Sequence, residues 1–182
     1  RRIADHRTGA EPFISFHGGE PLQRSPEFFR GAMKVARTIL PDVQFGMQTN
    51  GILLNEKFID VFREFGLRAG ISLDGPKLIN DRRRVDHRGR GTFDRVMRGI
   101  ELMQRNRDVW GGILGVIDVE AGPEELIDFY ASLDPPGVDL LEPDGNWERL
   151  PPGKSKPDST EYGEWLIKAY HHWYKNQPQL TI

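Results

Sequence analysis

The residues best placed to do chemistry come in short polar clusters, each following an apolar run. Phe13-Ile14-Ser15-Phe16 leads into His17 and then Gly18-Gly19-Glu20-Pro21. Two glycines in that place let a ligand approach the main chain, whose peptide groups supply hydrogen bonds. The Glu20 carboxylate beside them suits a cationic ammonium. A second cluster is Gln48-Thr49-Asn50-Gly51, whose Asn-Gly step equally fits a plain tight turn with positive φ. Ser72 and Asp74, then Asp118, then Glu142, Asp144 and Asn146 follow later runs. Arg82-Arg83-Arg84, with His87, Arg88 and Arg90, concentrates positive charge. Such a cluster is either a solvated loop or a carboxylate holder, because guanidinium groups bind carboxylates bidentately.

Several other chemistries are excluded by residue type or spacing. The chain has no cysteine, so it offers no disulfide, thiol nucleophile, zinc ribbon or cysteine-ligated cluster of its own. His17 and Glu20 have no third ligand near them in sequence. His171 and His172 are adjacent and point to different faces of a helix, so neither pair makes a metal site. Gly89-Arg90-Gly91 and Gly111-Gly112 are not a nucleotide fingerprint, and no P-loop lysine pattern occurs. With 25 basic and 27 acidic residues the net charge is −2, and the Arg cluster lacks interleaved aromatics, so no nucleic-acid partner is expected. No apolar run of about eighteen residues exists, so no membrane span is expected. A cytoplasmic location is the expectation.

The elements that must position these clusters alternate along 182 residues. Strands are expected at Phe13–Phe16, Val43–Met47, Arg68–Leu73, Gly112–Val119 and Val138–Leu141. Ser25-Pro26-Glu27 reads as a helix start, with Phe29, Ala32, Val35, Ala36, Ile39 and Leu40 at helical spacing behind it. Asn55 caps a helix closed by Gly66, Thr92 can cap another, and Pro123 opens a fourth. Asp158-x-x-Glu161 looks like a capping box before a helix with Tyr162, Trp165, Leu166, Ala169, Tyr170 and Trp173 on one face. Residues 80–91 and 143–157 read as loops. Five strand–helix units predict an α/β fold with a parallel sheet, either a (β/α) barrel or an open doubly wound sheet. In both, function sits at the carboxyl ends of strands, where the polar clusters fall.

Five motifs in order carry a family resemblance. They are Phe16-His17-Gly18-Gly19-Glu20-Pro21-Leu22, Gln48-Thr49-Asn50-Gly51-Ile52-Leu53-Leu54, Gly70-Ile71-Ser72-Leu73-Asp74-Gly75-Pro76, Asn80-Asp81-x-x-Arg84 and Gly89-x-Gly91-Thr92-Phe93. Together they resemble radical SAM enzymes of the sulfatase-maturase-like, SPASM-bearing branch. The Pro143-Asp144-Gly145-Asn146-Trp147 and Pro151-Pro152-Gly153 region resembles peptide maturases that build cyclophane crosslinks. The resemblance implies a partial (β/α)6 radical SAM barrel, a TIM-barrel relative, with residues 1–182 supplying its second to sixth strand–helix units. Arg1–His6 would then end the first helix, with the first strand and cluster loop missing.

The resemblance also implies chemistry. S-adenosylmethionine and a 4Fe–4S cluster would be the cofactors, the cluster cleaving the former reductively to a 5′-deoxyadenosyl radical that abstracts hydrogen. Gly18, Gly19 and Glu20 would bind the methionine ammonium. Ser72 would help hold its carboxylate or ribose, and Arg84, with Arg95 as runner-up, would pair with the carboxylate. His17, Gln48, Asn50, Asp118 and Asp144 would face the substrate. Partners would be a ribosomally made precursor peptide and an electron donor such as a flavodoxin or ferredoxin.

The family's C-x3-C-x2-C cluster motif is absent, as is a Cys-rich tail. The chain alone is therefore expected to be inactive, its cluster ligands lying outside it. On the reading that it is an internal fragment, the triad is expected about 20 to 50 residues before Arg1, since a βαβ unit takes about thirty. Two alternatives stay open. One is a degenerate relative acting as a peptide-binding module. The other is an unrelated (β/α) barrel lyase or isomerase, although no Lys stands at the carboxyl end of an expected strand.

Overall fold

A computed structural model describes residues 11–182; the expectation for Arg1–His6 lies outside them. The strands are β1 (Phe13–Phe16), β2 (Gln44–Thr49), β3 (Arg68–Ser72), β4 (Trp110–Val116) and β5 (Val138–Leu141). The helices are α1 (Pro26–Ile39), α2 (Glu56–Phe65), α3 (Lys77–Arg83), α4 (Phe93–Arg105), α5 (Pro123–Ser132) and α6 (Glu161–Asn176). The five strands form one sheet in the order β1-β2-β3-β4-β5, with β1–β2, β2–β3 and β4–β5 parallel. That sequential order is the order of β/α barrels, whereas a doubly wound sheet reverses at a switch point. The chain divides into two compact units, Arg1–Ile71 with Met97–Gly111 and Ser72–Val96 with Gly112–Ile182.

In the first unit the local signals act as the residue types dictate. Ser25 accepts the Phe28 N–H at 3.3 Å, and Asn55 accepts that of Lys57 at 3.1 Å. Gly66 closes α2 at φ 62°, in the left-handed region. Phe16 and Phe29 pack edge-on at 5.1 Å between ring centroids, and Phe45 meets Phe65 at 6.3 Å. The buried face of α1 runs through Phe29, Met33 and then Leu40, while Val35 and Ile39, expected inside, are 63% and 42% exposed. Helical spacing alone admits both stripes; the position of the ring cluster selects the one rotated toward it.

β2 begins and ends later than expected, so Gln48 and Thr49 are strand residues paired with Gly70 and Ile71. Alternate residues face opposite ways. Phe45, Met47 and Thr49 are buried on one face, while Gly46, Gln48 and Gly70 lie on the other. Gln48 lies against the space a side chain at Gly70 would occupy.

Gly99 packs directly on the Asn50-Gly51 turn, where an added Cβ would stand 2.5 Å from the Gly51 carbonyl oxygen. Backbone cannot yield as a side-chain tip can. Gly99→Ala is expected to destabilise the chain by about 1–3 kcal/mol despite alanine's better helix propensity. Thermal melting of the variant at or above the wild-type midpoint would contradict this packing.

In the second unit Tyr130 anchors α5. It is fully buried, and its hydroxyl donates to the Leu73 carbonyl at 2.8 Å. Burial, then the neighbouring Asp74 charge, pushes its pKa above the usual range. β4 starts at Trp110 and stops at Val116. Asp118, expected inside that strand, instead begins a turn by accepting the Glu120 N–H at 3.0 Å.

The expected loop at 80–91 contains most of α3, and a bridge between Val85 and Gly91 then closes a tight hairpin. The expected capping box does not form. Thr160 is the N-cap of α6 and makes no side-chain cap bond. Glu161 instead accepts the Ser155 N–H at 3.0 Å, and hydrogen bonding from Ser155, then Ser159, lowers its pKa to about 2. Along α6, Tyr162, Trp165 and Ala169 are buried, while Leu166 and Tyr170 are exposed.

Candidate functional site

The turn after β1 is built around one carboxylate. Gly18 and Gly19 take φ 91° and 58°, and a Cβ on either would meet nothing within 4 Å. The main chain there is bare and faces open space. Glu20 Oε1 accepts the Leu22 N–H at 3.0 Å and the Thr49 hydroxyl at 2.5 Å, and Oε2 accepts the Asn50 N–H at 2.8 Å. A carboxylate has about four acceptor positions, so these bonds tie the end of β1 to the end of β2 and leave room for one more donor. Thr49, 2% exposed, is the strut that sequence reading missed; its alternation with Phe45 and Met47 marks it as inward-facing. Asn50 Oδ1 accepts the Ile52 N–H at 3.0 Å and so shapes its own turn. His17 is exposed at the same strand end.

In the second unit, Arg84, Arg95 and Asp118 are each held in an ion pair. Asp74 follows β3 and is 6% exposed. Its Oδ1 accepts from Arg84 Nη2 at 2.7 Å and from the Val116 N–H at 2.9 Å. Ser72, two residues earlier, is 9% exposed. Arg84 Nε is buried without a hydrogen-bond partner, so part of this guanidinium's donor fork stays unused. Arg95, the runner-up, is engaged by Asp86 at 3.1 Å. Asp118 pairs with Arg82 at 3.0 Å, so the structure joins one predicted substrate-side residue to the Arg cluster. Asp144 stands exposed in the 143–157 loop, lining a cavity of about 450 Å³ with Asn146, Arg149 and Leu150.

A clasp of residues positions Arg84. The fully buried Asn80 accepts the Asp74 N–H at 3.4 Å, and its carbonyl takes the Arg84 N–H at 2.9 Å. Thr92 gives both its N–H, at 3.1 Å, and its hydroxyl, at 2.8 Å, to the Arg84 carbonyl. Asp81, not Thr92, caps α4 with its side chain, accepting the Phe93 N–H at 2.9 Å. Any side chain at Gly91 would run into Asp81. The two motifs at 80–84 and 89–93 are therefore one structural device. Its sequence signal is an Asp ten residues ahead of a Gly-Thr-Phe helix start, readable only once the hairpin is known.

Among the described residues no group of three or more His, Asp or Glu side chains is arranged to hold a metal ion. No helix among them is long and apolar enough to cross a membrane.

A parallel α/β sheet with polar residues at its strand ends, opening on Gly-Gly-Glu, defines a class, and a sequence profile of the radical SAM superfamily matches residues 1–130. The chain belongs to that superfamily. Within it, the chain is similar to anaerobic sulfatase-maturating enzymes. The serine-type enzyme of Bacteroides thetaiotaomicron is 32% identical, over 68% of this chain and 30% of its own. The cysteine-type enzyme of Clostridium perfringens is 33% identical, over 97% of this chain and 49% of its own. The solved structure of native anSMEcpe with bound AdoMet superposes with a TM-score of 0.84 at 25% identity, over 98% of this chain and 50% of that one. The chain thus spans between 30% and 50% of these relatives' length.

Proposed function

We propose that the chain is the S-adenosylmethionine-binding core of a radical SAM peptide maturase acting on a ribosomally made precursor peptide. One observation carries this reading: bare glycine backbone at positive φ beside a carboxylate with a spare acceptor position. Gly18 and Gly19 expose peptide groups to the ligand, and Glu20 offers its remaining lone pair to the methionine ammonium. Ser72 and the unused donors of Arg84 serve the ligand's carboxylate, Asp74 holding the guanidinium in orientation. His17, Gln48, Asn50, Asp118 and Asp144 face the substrate side. The bound molecule supplies hydrogen-abstracting radical chemistry in this family.

The residues present fit S-adenosylmethionine but not a 4Fe–4S cluster, because the chain has no thiolate to ligate iron. The reading requires cluster ligands and an electron donor, such as a flavodoxin or ferredoxin, from outside these 182 residues. A peptide substrate is supported by similarity to anSMEcpe, which has also been solved with bound AdoMet and Kp18Cys peptide. A cytoplasmic setting goes with this chemistry.

Anaerobic reconstitution with iron, sulfide and dithionite tests the reading. The 182-residue chain is expected to give no 5′-deoxyadenosine above a blank. A longer product of the same reading frame that adds a C-x3-C-x2-C segment is expected to give it. Product from the chain alone would overturn the ligand argument. A reading frame without that segment would overturn the enzyme reading and favour a peptide-binding module.

A further inference from the structure

Residues 82–90 hold five Arg and one acid, Asp86, in a chain of net charge −2. Three of those Arg are committed: Arg82 to Asp118, Arg84 to Asp74 and Arg90 to Asp86. Arg83 and Arg88 are exposed and form no ion pair among the described residues. Arg83 is the last residue of α3, and Arg88 lies within a turn that is unusually well fixed for a surface hairpin. Asp86 accepts the N–H groups of Arg88 and Arg90 at 2.9 and 3.0 Å. It also accepts Arg90 Nε and Nη2 at 3.1 and 2.9 Å and Arg95 Nη2 at 3.1 Å. The main chain closes with Asp86 N–H on the Arg90 carbonyl at 2.8 Å, and Gly89 supplies the left-handed step at φ 73°. The Asp86 side chain is 8% exposed, and bonding to Arg90 holds its carboxyl well below the usual carboxylate range. A rigid turn that presents uncommitted cations loses little entropy when it binds.

We propose that this hairpin and the end of α3 form a docking surface for an acidic peptide segment, with Arg83 and Arg88 as the pairing residues and His87 beside them. The inference rests on the peptide-substrate reading and adds the chemistry of the segment recognised. Carboxylates fit better than nucleic acid. No Phe, Tyr or Trp lies between 82 and 92 to stack on bases, and the rest of the chain offers no excess positive charge to follow a phosphate backbone. Single exposed ion pairs contribute little, so both Arg must act together, and binding must weaken as salt rises.

Fluorescence anisotropy on the 182-residue chain tests this, with a labelled hexaglutamate peptide, a hexaglutamine control and a deoxyadenosine hexamer as probes. At low ionic strength the glutamate peptide is expected to bind and the glutamine peptide not. The double variant Arg83→Glu/Arg88→Glu should bind it at least tenfold more weakly. Lys34→Glu on exposed α1 should leave affinity unchanged, and Arg83→Gln/Arg88→Gln should give an intermediate loss. Circular dichroism melting would show that the variants fold. Equal binding of the glutamine peptide, equal binding of the oligonucleotide, or an unchanged affinity in the double variant would each overturn the proposal. Glutamate-peptide binding by a chain whose longer form releases no 5′-deoxyadenosine would sink the maturase reading and leave the docking surface standing.

Discussion

Asp74→Ala should lower the melting temperature of the chain by roughly 6–12 °C, given a loss near 3 kcal/mol in a domain of this size. Asp74 is 6% exposed and is the shared acceptor for Arg84 Nη2 and the Val116 N–H. Removing it leaves a main-chain donor without its acceptor and a guanidinium whose Nε already lacks one. Breaking a buried ion pair from one side costs about 3–5 kcal/mol, and the lower end applies because a quarter of the Arg84 side chain meets water. Asp74→Asn keeps an oxygen for Val116 but not the charge for Arg84, so its loss should be about half as large. Differential scanning calorimetry separates the two. A melting point for Asp74→Ala within about 2 °C of wild type would mean that the ion pair contributes nothing net.

Ligand binding should be hit hardest at the turn after β1. On the proposed reading, in a longer product of the reading frame that carries the cluster segment, Glu20→Gln would remove the charge partner of the methionine ammonium, and losing a hydrogen bond to a charged group costs about 1.5–3 kcal/mol. The expected affinity loss is tenfold or more, since about 1.4 kcal/mol is a factor of ten. Glu20→Gln also turns an amide N–H toward the Leu22, Thr49 or Asn50 donors, so a lower melting point should accompany it. Gly19→Val isolates the binding effect differently. Its Cβ meets nothing within 4 Å, so no packed atom is displaced, but a β-branched residue at φ 58° is strained and covers the bare main chain. Titration calorimetry reads both variants beside thermal melting. Unchanged affinity in both would reduce Gly-Gly-Glu-Pro to a turn that merely joins β1 to the helical turn at Pro21–Gln23.

Several features were legible without coordinates because they are local. β1 and β5 lie on the expected apolar runs, and α1 and α2 lie where Ser25, Pro26, Asn55 and Gly66 punctuate the chain, since caps and left-handed closures act within one turn of the residue that makes them. The alternation of apolar runs and helical stripes fixed an α/β fold, and the order of five short motifs carried the family. The absence of cysteine fixed what chemistry the chain cannot perform by itself.

What only the tertiary structure decided is how the polar residues are spent, because their partners are distant in sequence. Arg84 and Asp74 are ten residues apart, Glu20 and Asn50 thirty, and Asp118 and Arg82 thirty-six. No periodicity encodes such pairs. Thr92 looked like a helix cap, yet its hydroxyl goes back to the Arg84 carbonyl while Asp81 takes the helix N–H. Asp158 and Glu161 had the spacing of a capping box, but Ser155 reached the Glu161 carboxylate first. In each case several local bonds of similar strength were available to one side chain, and the packing of the surrounding elements selected among them.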